Sequence, residues 1–397
     1  MTLNRTAPQI APQTAQAFAL VLRPGLLLGL LLGLGLLLVR PAAALETKAR
    51  EAILIDSATG TVLLEKDADA SMPPASMSKI MTAHMVFDRL RDGRLSLDDE
   101  LPVSEKAWRM GGSKMFVEVN SQVRVEDLLR GVIVQSGNDA CIVIAEGLSR
   151  SEEAFAEEMT ERARELGLTG SSFANATGWP HPEHRMTARD LAILARDTIE
   201  NYPEFYHFYG ETEFTFNGIR QGNRNPLLYK NMGADGLKTG HTEEAGYGLT
   251  ASAVRGDRRL ILVINGLQSV KERSEEAARL MAWGFREFAN YALFQPGETV
   301  EEAAVWQGEA EKLPLVFPEG LTVTLSRKAR KDMTVTVKYD SPIPAPITEG
   351  QEVATLEIDD GNGGIMTFPL IAGAAVERFG PVGRLFSSLK FMVLGPR

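Results

Sequence analysis

Two pairs of strand-forming segments enclose a helical block, and this order restricts the chain to few folds. Residues 52–56 and 61–65 are short apolar runs separated by a turn sequence, and residues 249–254 and 259–266 repeat that arrangement. Between the two pairs, apolar residues recur at helical spacing over 78–90, 125–134, 139–148, 152–166 and 187–199. Strands on both sides of a helical block predict a mixed sheet with helices packed on it, as in an α+β domain.

The pattern changes near residue 296. A last amphipathic helix is predicted over 274–291, and helical periodicity then disappears. Short alternating runs follow at 321–325, 333–338 and 352–358. The chain has 397 residues, which is long enough for two domains. We therefore expect two domains. The larger one, over 45–295, would be the catalytic domain, and a small all-β sandwich would follow over 296–375.

The N-terminus has the three parts of a secretory signal. Arg5 and Arg23 precede an uncharged apolar run over 26–39, and Ala42-Ala43-Ala44 follows it. This order predicts a signal peptide over 1–44 that is cleaved after its last alanine. An uncleaved membrane anchor is the alternative, but the apolar run is shorter than the roughly 20 residues that span a bilayer. In both cases the rest of the chain functions outside the cytoplasm.

The C-terminal residues 376–397 predict an amphipathic helix. From Pro381 onward one helical face is apolar and the opposite face is basic, and the apolar face consists of Val382, Leu385, Phe386, Leu389, Met392 and Val393. A helix of this kind can lie in a membrane interface. We expect a periplasmic protein attached peripherally to the surface of the cytoplasmic membrane. Packing of this helix on the β-domain is the alternative.

Net charge and cysteine content exclude other functions. A formal charge of −10 at pH 7 argues against a nucleic-acid partner, which would require a basic surface. The single cysteine, Cys141, cannot form an internal disulfide. Its apolar surroundings over 140–145 favour a buried structural thiol over a nucleophile.

Ser76 and Lys79 form an S-x-x-K motif at the start of the first predicted helix. Residues three apart share a helical face, so the amine can reach the hydroxyl. Free N–H groups at a helix N-terminus favour negative charge on the serine oxygen. The amine becomes a useful base only if burial or a second cation lowers its pKa from about 10.4. The motif alone is weak evidence, and Ser387 with Lys390 repeats it near the C-terminus.

Two further elements strengthen the first motif. Ser136-Gly137-Asn138 lies at a predicted turn between two helices, and Lys238-Thr239-Gly240 lies just before the strand predicted at Leu249. The order S-x-x-K, S-x-N, K-T-G is typical of β-lactamases and penicillin-binding proteins. Lys238 also supplies a candidate for the second cation. The three elements together predict a serine enzyme that forms an acyl intermediate.

The chain resembles the low-molecular-mass penicillin-binding proteins of the D-alanyl-D-alanine carboxypeptidase family. The resemblance extends beyond the three motifs to the segments 111–116, 135–140, 175–178 and 235–246. It implies a β-lactamase/transpeptidase-like catalytic domain. The implied activity is removal of the terminal D-alanine from peptidoglycan pentapeptide stems, with covalent acylation by β-lactam antibiotics. The resemblance implies no metal and no organic cofactor.

The resemblance also implies catalytic roles for five residues. Ser76 would attack the carbonyl carbon of the penultimate D-alanine, and Lys79 would take the serine proton. Ser136 and Lys238 would relay a proton to the leaving amine. Asn138 would hold both the substrate amide and Lys79.

Four residues are expected to bind substrate. The backbone N–H groups of Ser76 and His241 would form the oxyanion hole. Thr239 and the guanidinium group of Arg273 would bind the terminal carboxylate of the peptide. Gly240 completes this set, at the end of the K-T-G motif.

Other functions fit the sequence less well. A Ser-His-Asp hydrolase needs a nucleophile elbow such as G-x-S-x-G, which the sequence lacks. A zinc carboxypeptidase would have its best ligands at His181-Pro182-Glu183-His184, where the proline disfavours a helical ligand pair. A β-lactamase or a D,D-endopeptidase would use the same residues, although we identify no dedicated carboxylate for rapid deacylation. A non-catalytic scaffold that binds the cell wall is the alternative from a different class.

Overall fold

The computed structural model describes residues 45–361 and 363–385. The predicted signal peptide over 1–44 lies outside the described residues, as do residues 386–397 of the predicted C-terminal helix and the second S-x-x-K match within it. The last described residues, 381–385, are helical. Within the described part of the chain, no helix is both long enough and apolar enough to cross a membrane.

The described residues form seventeen strands and nine α-helices. The strands are β1 Glu51–Asp56, β2 Val62–Lys66, β3 Glu100–Pro102, β4 Gln122–Arg124, β5 Glu213–Phe216, β6 Ile219–Gly222, β7 Ala234–Thr242, β8 Gly246–Arg255, β9 Arg258–Leu267, β10 Phe288–Phe294, β11 Thr299–Trp306, β12 Lys312–Val316, β13 Leu321–Ser326, β14 Thr334–Lys338, β15 Ile343–Pro344, β16 Glu352–Asp359 and β17 Ile365–Ala372. The helices are α1 Lys79–Arg91, α2 Glu105–Arg109, α3 Val125–Ile133, α4 Asn138–Ser149, α5 Glu152–Glu165, α6 Ala188–Asn201, α7 Pro203–Tyr206, α8 Val270–Glu287 and α9 Ala329–Asp332.

The main sheet joins the two predicted strand pairs, which are about two hundred residues apart in the chain. Its order is β2-β1-β9-β8-β7, and each pairing is antiparallel. Side chains of a strand alternate between the two faces, and β9 is buried on both. Ile261 and Val263 belong to the large core under the helical block, whereas Leu260, Leu262 and Ile264 belong to the core under α8. The predicted α+β class is confirmed.

The predicted helix over 274–291 was wrong at both ends. Helix α8 begins at Val270, where the side chain of Ser269 accepts a hydrogen bond from the Glu272 backbone N–H. The Glu272 carboxylate in turn accepts from the backbone N–H of Gln268, one residue before the N-cap, so both side chains satisfy donors at the start of the helix. At its other end the helix gives way to β10 after Glu287, because the aromatic run that follows pairs with β13.

The C-terminal part consists mainly of strands, as predicted, with one short helix, α9, between β13 and β14. Strands β14-β16-β17-β12-β11-β15 form one sheet, which includes the parallel pairing of β11 with β15, and β10 pairs with β13 in a second. Both contribute to one core, which includes Leu313, Leu325, Leu356 and Leu370. Since β10 belongs to this core, we propose that the C-terminal domain begins at Phe288 and not at residue 296.

A buried ion pair lies where the two domains meet. The guanidinium Nε of Arg258 donates to Asp56 Oδ2 at 2.7 Å, and Asp56 is fully buried. Arg258 Nη1 also donates to the carbonyl oxygen of Phe288 at 2.7 Å, and Asn290 Nδ2 donates to Asp56 Oδ1 at 3.2 Å. These bonds connect the start of β9, the end of β1 and the first strand of the C-terminal domain.

Candidate active site

Ser76 lies in a 3-10 turn, Ala75–Ser78, directly before α1. Two glycines flank this turn. A Cβ atom at Gly178 would lie 2.0 Å from the carbonyl oxygen of Ala75, and one at Gly240 would lie 3.2 Å from the Ala75 Cβ and 2.8 Å from a backbone oxygen beside it. A side chain at either position would therefore displace the turn that carries the serine.

The side chain of Lys79 connects the serine to two other segments. Its Nζ donates to Ser76 Oγ at 2.8 Å, to Asn138 Oδ1 at 2.8 Å and to the carbonyl oxygen of Thr177 at 2.5 Å. An ammonium group has three donors, so the charged form of Lys79 is fully hydrogen-bonded. Only 1% of this residue is exposed. The S-x-x-K spacing thus gives direct contact between the amine and the hydroxyl.

Burial lowers the pKa of Lys79 to about 8, and the positive charge of Arg224 acts in the same direction. Burial also holds the pKa of Lys238 well below its usual value, and the charge of Lys79 lowers it further. Neither lysine forms an ion pair with a carboxylate among the described residues. The site is therefore a buried region of positive potential in which a lysine amine can lose its proton near neutral pH.

The S-x-N motif lies between α3 and α4, at the predicted turn. Ser136 is buried with a positive φ of 60°, and its Oγ has no hydrogen-bond partner among the described residues. Asn138 is the first residue of α4, and its Nδ2 donates to the carbonyl oxygen of Gly111 at 2.8 Å. The neighbouring Asp139 carboxylate holds the facing loop, because it accepts from the backbone N–H groups of Met115, Phe116 and Val117.

The K-T-G motif precedes the strand that contains Leu249, as expected, but it is itself part of a strand, β7, that the sequence did not predict. The sequence of β7 carries glycine, aspartate and lysine, which are depleted in strands, and this hid it. β7 is at the edge of the main sheet, where it pairs only with β8. Its other edge is next to the Ser76 turn, because Gly240 lies against Ala75. Lys238 and Thr239 are buried on this strand, while His241 is exposed.

Arg273 lies on the first turn of α8, although the sequence predicted a helix that starts only at residue 274. The residue is 5% exposed, and its Nη1 donates to the carbonyl oxygen of Gly248 at 3.4 Å. Its guanidinium lies 5.8 Å from the ring centroid of Tyr247, which pairs with His241 in the sheet. Burial lowers the pKa of Arg273 to about 10. This further buried cation is therefore at the His241 end of β7.

The residues proposed as zinc ligands for a zinc carboxypeptidase, at 181–184, are not arranged to support that alternative. His184 is buried, and its Nδ1 accepts a hydrogen bond from the backbone N–H of Ala174 at 3.2 Å. Burial lowers the pKa of His184 to about 3. No group of three or more histidine, cysteine, aspartate or glutamate side chains within the described ranges is arranged to hold a metal ion.

Comparison with known families agrees with this geometry. A model of D-alanyl-D-alanine carboxypeptidases matches residues 39–269, which contain all three motifs. The chain belongs to the D-alanyl-D-alanine carboxypeptidase family. A second model, of the C-terminal domain of penicillin-binding protein 5, matches residues 288–378. The family predicted from the sequence is confirmed, as is the serine-type D-alanyl-D-alanine carboxypeptidase function that it implies.

Curated relatives and solved structures cover most of this carboxypeptidase. The D-alanyl-D-alanine carboxypeptidase DacC of Escherichia coli is 40% identical over 353 residues, which are 86% of this chain and 88% of the relative. DacA of the same organism is 35% identical and covers 87% of each chain. Penicillin-binding protein 5 from Haemophilus influenzae has a TM-score of 0.77 at 34% identity, over 84% of this chain and 98% of that one. The ampicillin-bound form of penicillin-binding protein D2 from Listeria monocytogenes has a TM-score of 0.56 at 30% identity, over 61% of this chain and 98% of that one.

Sequence reasoning missed three groups at the centre of this carboxypeptidase. The backbone oxygen of Thr177 accepts from Lys79, and the Asp139 carboxylate holds the loop opposite the S-x-N turn. Arg224 donates to Ser113 Oγ at 2.6 Å, and its charge lowers the pKa of both Lys79 and Lys238. Thr177 lies in a segment that carried the family resemblance, whereas no motif marks Arg224.

Proposed function

We propose that Ser76 is the acylated nucleophile of this carboxypeptidase and that peptidoglycan stem peptides are its substrates. One observation carries the proposal, namely that Lys79 Nζ lies 2.8 Å from Ser76 Oγ. Since burial lowers the pKa of Lys79 to about 8, a useful fraction of the amine is neutral at physiological pH. The amine can then accept the hydroxyl proton while the serine oxygen attacks the carbonyl carbon of the penultimate D-alanine.

Attack converts the carbonyl oxygen into an oxyanion, which the backbone N–H groups of Ser76 and His241 stabilise. Each such donor contributes about 3 kcal/mol of transition-state stabilisation in enzymes of this kind. The bond to the leaving D-alanine then breaks, and its nitrogen needs a proton. Ser136 and Lys238 supply a path for that proton, and the positive potential around Lys238 favours release. Asn138 orients both the substrate amide and the Lys79 amine.

Binding of the substrate's terminal carboxylate would place the last peptide bond of the stem, between the two D-alanines, next to Ser76. Thr239 presents a hydroxyl on β7, and Arg273 presents a guanidinium beside Tyr247, so the two can bind one carboxylate together. Gly240 lets the substrate backbone and the serine turn approach β7 closely. A peptide without a free C-terminal carboxylate would lose these contacts. The enzyme would therefore remove the last residue of the stem in preference to cleaving an internal peptide bond.

Water completes the cycle by hydrolysing the acyl-enzyme. A β-lactam ring presents its amide carbonyl to the same serine, so we propose covalent acylation by penicillins. The ampicillin-bound structure of the Listeria monocytogenes protein supports this. A β-lactamase or D,D-endopeptidase activity would use the same residues and differs in deacylation or in the leaving group.

We further propose where the protein acts. The leader over 1–44 directs export, and the catalytic domain extends from residue 45 to the junction with the C-terminal domain. The amphipathic segment from Pro381 onward attaches the protein peripherally to the outer surface of the cytoplasmic membrane. Basic residues on its polar face, Arg384 and Lys390, favour an anionic lipid surface. The predicted helix over 376–397 was wrong at its start, since Val376 and Arg378 form β-bridges with Ile347 and Gly308.

The test compares the purified wild-type protein with Ser76→Ala and Ser387→Ala. The second serine is a matched control, because it stands in the same S-x-x-K pattern. Each protein is incubated with a fluorescent penicillin and with a peptide ending in D-Ala-D-Ala. We expect labelling and D-alanine release from the wild type and Ser387→Ala, and neither from Ser76→Ala. Release of D-alanine by folded Ser76→Ala would contradict the proposal, and rapid loss of label without peptide cleavage would indicate a β-lactamase.

A further inference from the structure

Trp179 lies beside the catalytic centre with 48% of its surface exposed. It follows the segment 175–178, which resembled the family but has no role in the steps above. A large aromatic side chain gains free energy when its surface is covered. The surroundings of Trp179 indicate what covers it.

The loop that carries Trp179 is held rigidly. Asn175 Oδ1 accepts from the backbone N–H groups of Thr177, Gly178 and Trp179 at 3.1, 2.8 and 3.1 Å. Asn175 Nδ2 donates back to the carbonyl oxygen of Trp179 at 3.0 Å. The same loop provides the Thr177 oxygen that binds Lys79. The position of Trp179 is therefore coupled to that of the catalytic amine.

The ring of Trp179 is separated from Asn138 by a single glycine. A Cβ atom at Gly112 would lie 3.0 Å from the Trp179 ring and 2.8 Å from Asn138 Nδ2. Gly112 has a φ of 73°, which suits glycine and keeps this space open. The ring therefore extends the surface that begins with the amide of Asn138.

Gly178, which precedes Trp179, and Gly240 of β7 both lie against Ala75, so the Trp179 loop and β7 are both next to the serine turn. In the proposed function the β7 side, with Arg273, takes the carboxylate of the leaving residue. The Asn138 side takes the acyl part that remains on the serine. Since the Trp179 ring lies across Gly112 from the Asn138 amide, we expect the residue before the D-alanyl pair to pass close to that ring.

We propose that Trp179 and the 111–112 turn form a subsite for the aliphatic side chain of the residue that precedes D-Ala-D-Ala. An extended residue spans about 3.5 Å, so this side chain reaches the ring while the sugar at the other end of a pentapeptide stem is roughly 10 Å farther along. A chain of methylene groups, as in a diamino acid, matches the flat apolar face of an indole. The subsite rests on the proposed function and adds a determinant of stem-peptide specificity.

The experiment uses two peptides that differ only at this residue, Nα,Nε-diacetyl-Lys-D-Ala-D-Ala and Nα-acetyl-Gly-D-Ala-D-Ala. The full-length wild type is compared with Trp179→Ala, Trp179→Phe and Trp306→Ala. Trp306 is the matched control, since it is 37% exposed on β11 of the other domain. We expect Trp179→Ala to lower kcat/KM for the lysyl peptide roughly tenfold, as for the loss of a few methylene contacts. The glycyl peptide should be cleaved as by the wild type.

Trp179→Phe keeps a ring at the site and should retain part of the preference for lysine, while Trp306→Ala should retain all of it. An equal loss for both peptides in Trp179→Ala would overturn the subsite, because the ring would then act only by positioning Lys79. No loss for either peptide would overturn it as well. Cleavage of neither peptide by the wild type would instead contradict the proposed function, and this inference with it.

Discussion

Buried charges occur both at the domain junction and at the catalytic centre, but the two sets have different partners. At the junction, Arg258 is paired with the buried carboxylate of Asp56. At the centre, Lys79 and Lys238 are buried without a carboxylate partner in the described part of the chain, and Lys79 is held by neutral oxygens. The lysines at the centre have lowered pKa values, because burial disfavours their charged form.

This difference separates a structural use of charge from a catalytic one. Removing one member of a buried pair leaves the other charge uncompensated, so the pair holds the junction together. An unpaired buried cation opposes folding, but it makes the amine a base near neutral pH. The protein therefore accepts lower stability at the site where it needs reactivity.

Lys79→Met should give the largest effect on activity. We expect D-alanine release and penicillin labelling to fall roughly 10²- to 10⁴-fold, because the general base is lost. Lys312→Met, at an exposed lysine on β12, should be fully active. Both rates are measured on the same purified proteins.

The same variant tests the sign of the stability effect. The pKa of Lys79 is about 8 in the folded protein and near 10.5 when unfolded, so its burial destabilises the fold fully below pH 8. This penalty disappears as the pH rises from 8 toward 10.5. The free energy of unfolding of the wild type should therefore increase over that interval relative to Lys79→Met. Parallel pH dependence in urea titrations of the two proteins would contradict an unpaired, titrating lysine.

Arg258→Met should give the next largest effect, on stability and not on catalysis. Its loss leaves Asp56 buried without its ion-pair partner, and we expect a decrease of about 3–5 kcal/mol in the free energy of unfolding. The labelling rate of the folded protein should be unchanged. Adding Asp56→Asn should recover part of the loss in a double-mutant cycle. If Arg258→Met lost acylation rate but not stability, the contrast between a structural ion pair at the junction and catalytic lysines at the centre would be wrong.

The smallest expected effect is the change of the wild-type kcat/KM for D-alanine release with pH. Protonated Lys79 cannot accept the serine proton, so kcat/KM should rise about tenfold per pH unit below its pKa and level off above about 8. Assays of D-alanine release at a series of pH values from roughly two units below this pKa to about one unit above it would trace the rise. A profile that is flat through neutral pH would show that the amine is already neutral there.

The contact between Ser76 and Lys79 could be expected from sequence, because residues three apart share a helical face. The contact between Lys79 and Asn138 joins distant segments and was implied only by the family resemblance. The strand β7 could not be expected, since its lysine and glycines serve the site and weaken the pattern by which strands are recognised. The start of α8 was detectable in Ser269 and Glu272, which have the spacing of a capping box. The sequence-based interpretation did not use this spacing and placed the start of the helix at residue 274.

Tertiary structure explains the remaining differences. The aromatic run from Phe288 continues the helical pattern of α8, and only its pairing with β13, more than thirty residues later, makes it a strand. Arg224 reaches Ser113 across more than one hundred residues, so no local spacing could reveal it. Trp179 directly follows a segment that carries the family resemblance, but its contact with the 111–112 turn depends on the fold.

The two glycines beside Ala75 limit how this protein can change under antibiotic selection. Gly178 and Gly240 belong to different segments, and each leaves no room for a Cβ atom against the turn that carries Ser76. A substitution there that displaces the serine from a β-lactam would displace it from the stem peptide as well. On the proposed mechanism, we expect resistant variants that remain active to carry substitutions at the rim of the cleft or in groups that act in deacylation, and not at these two glycines.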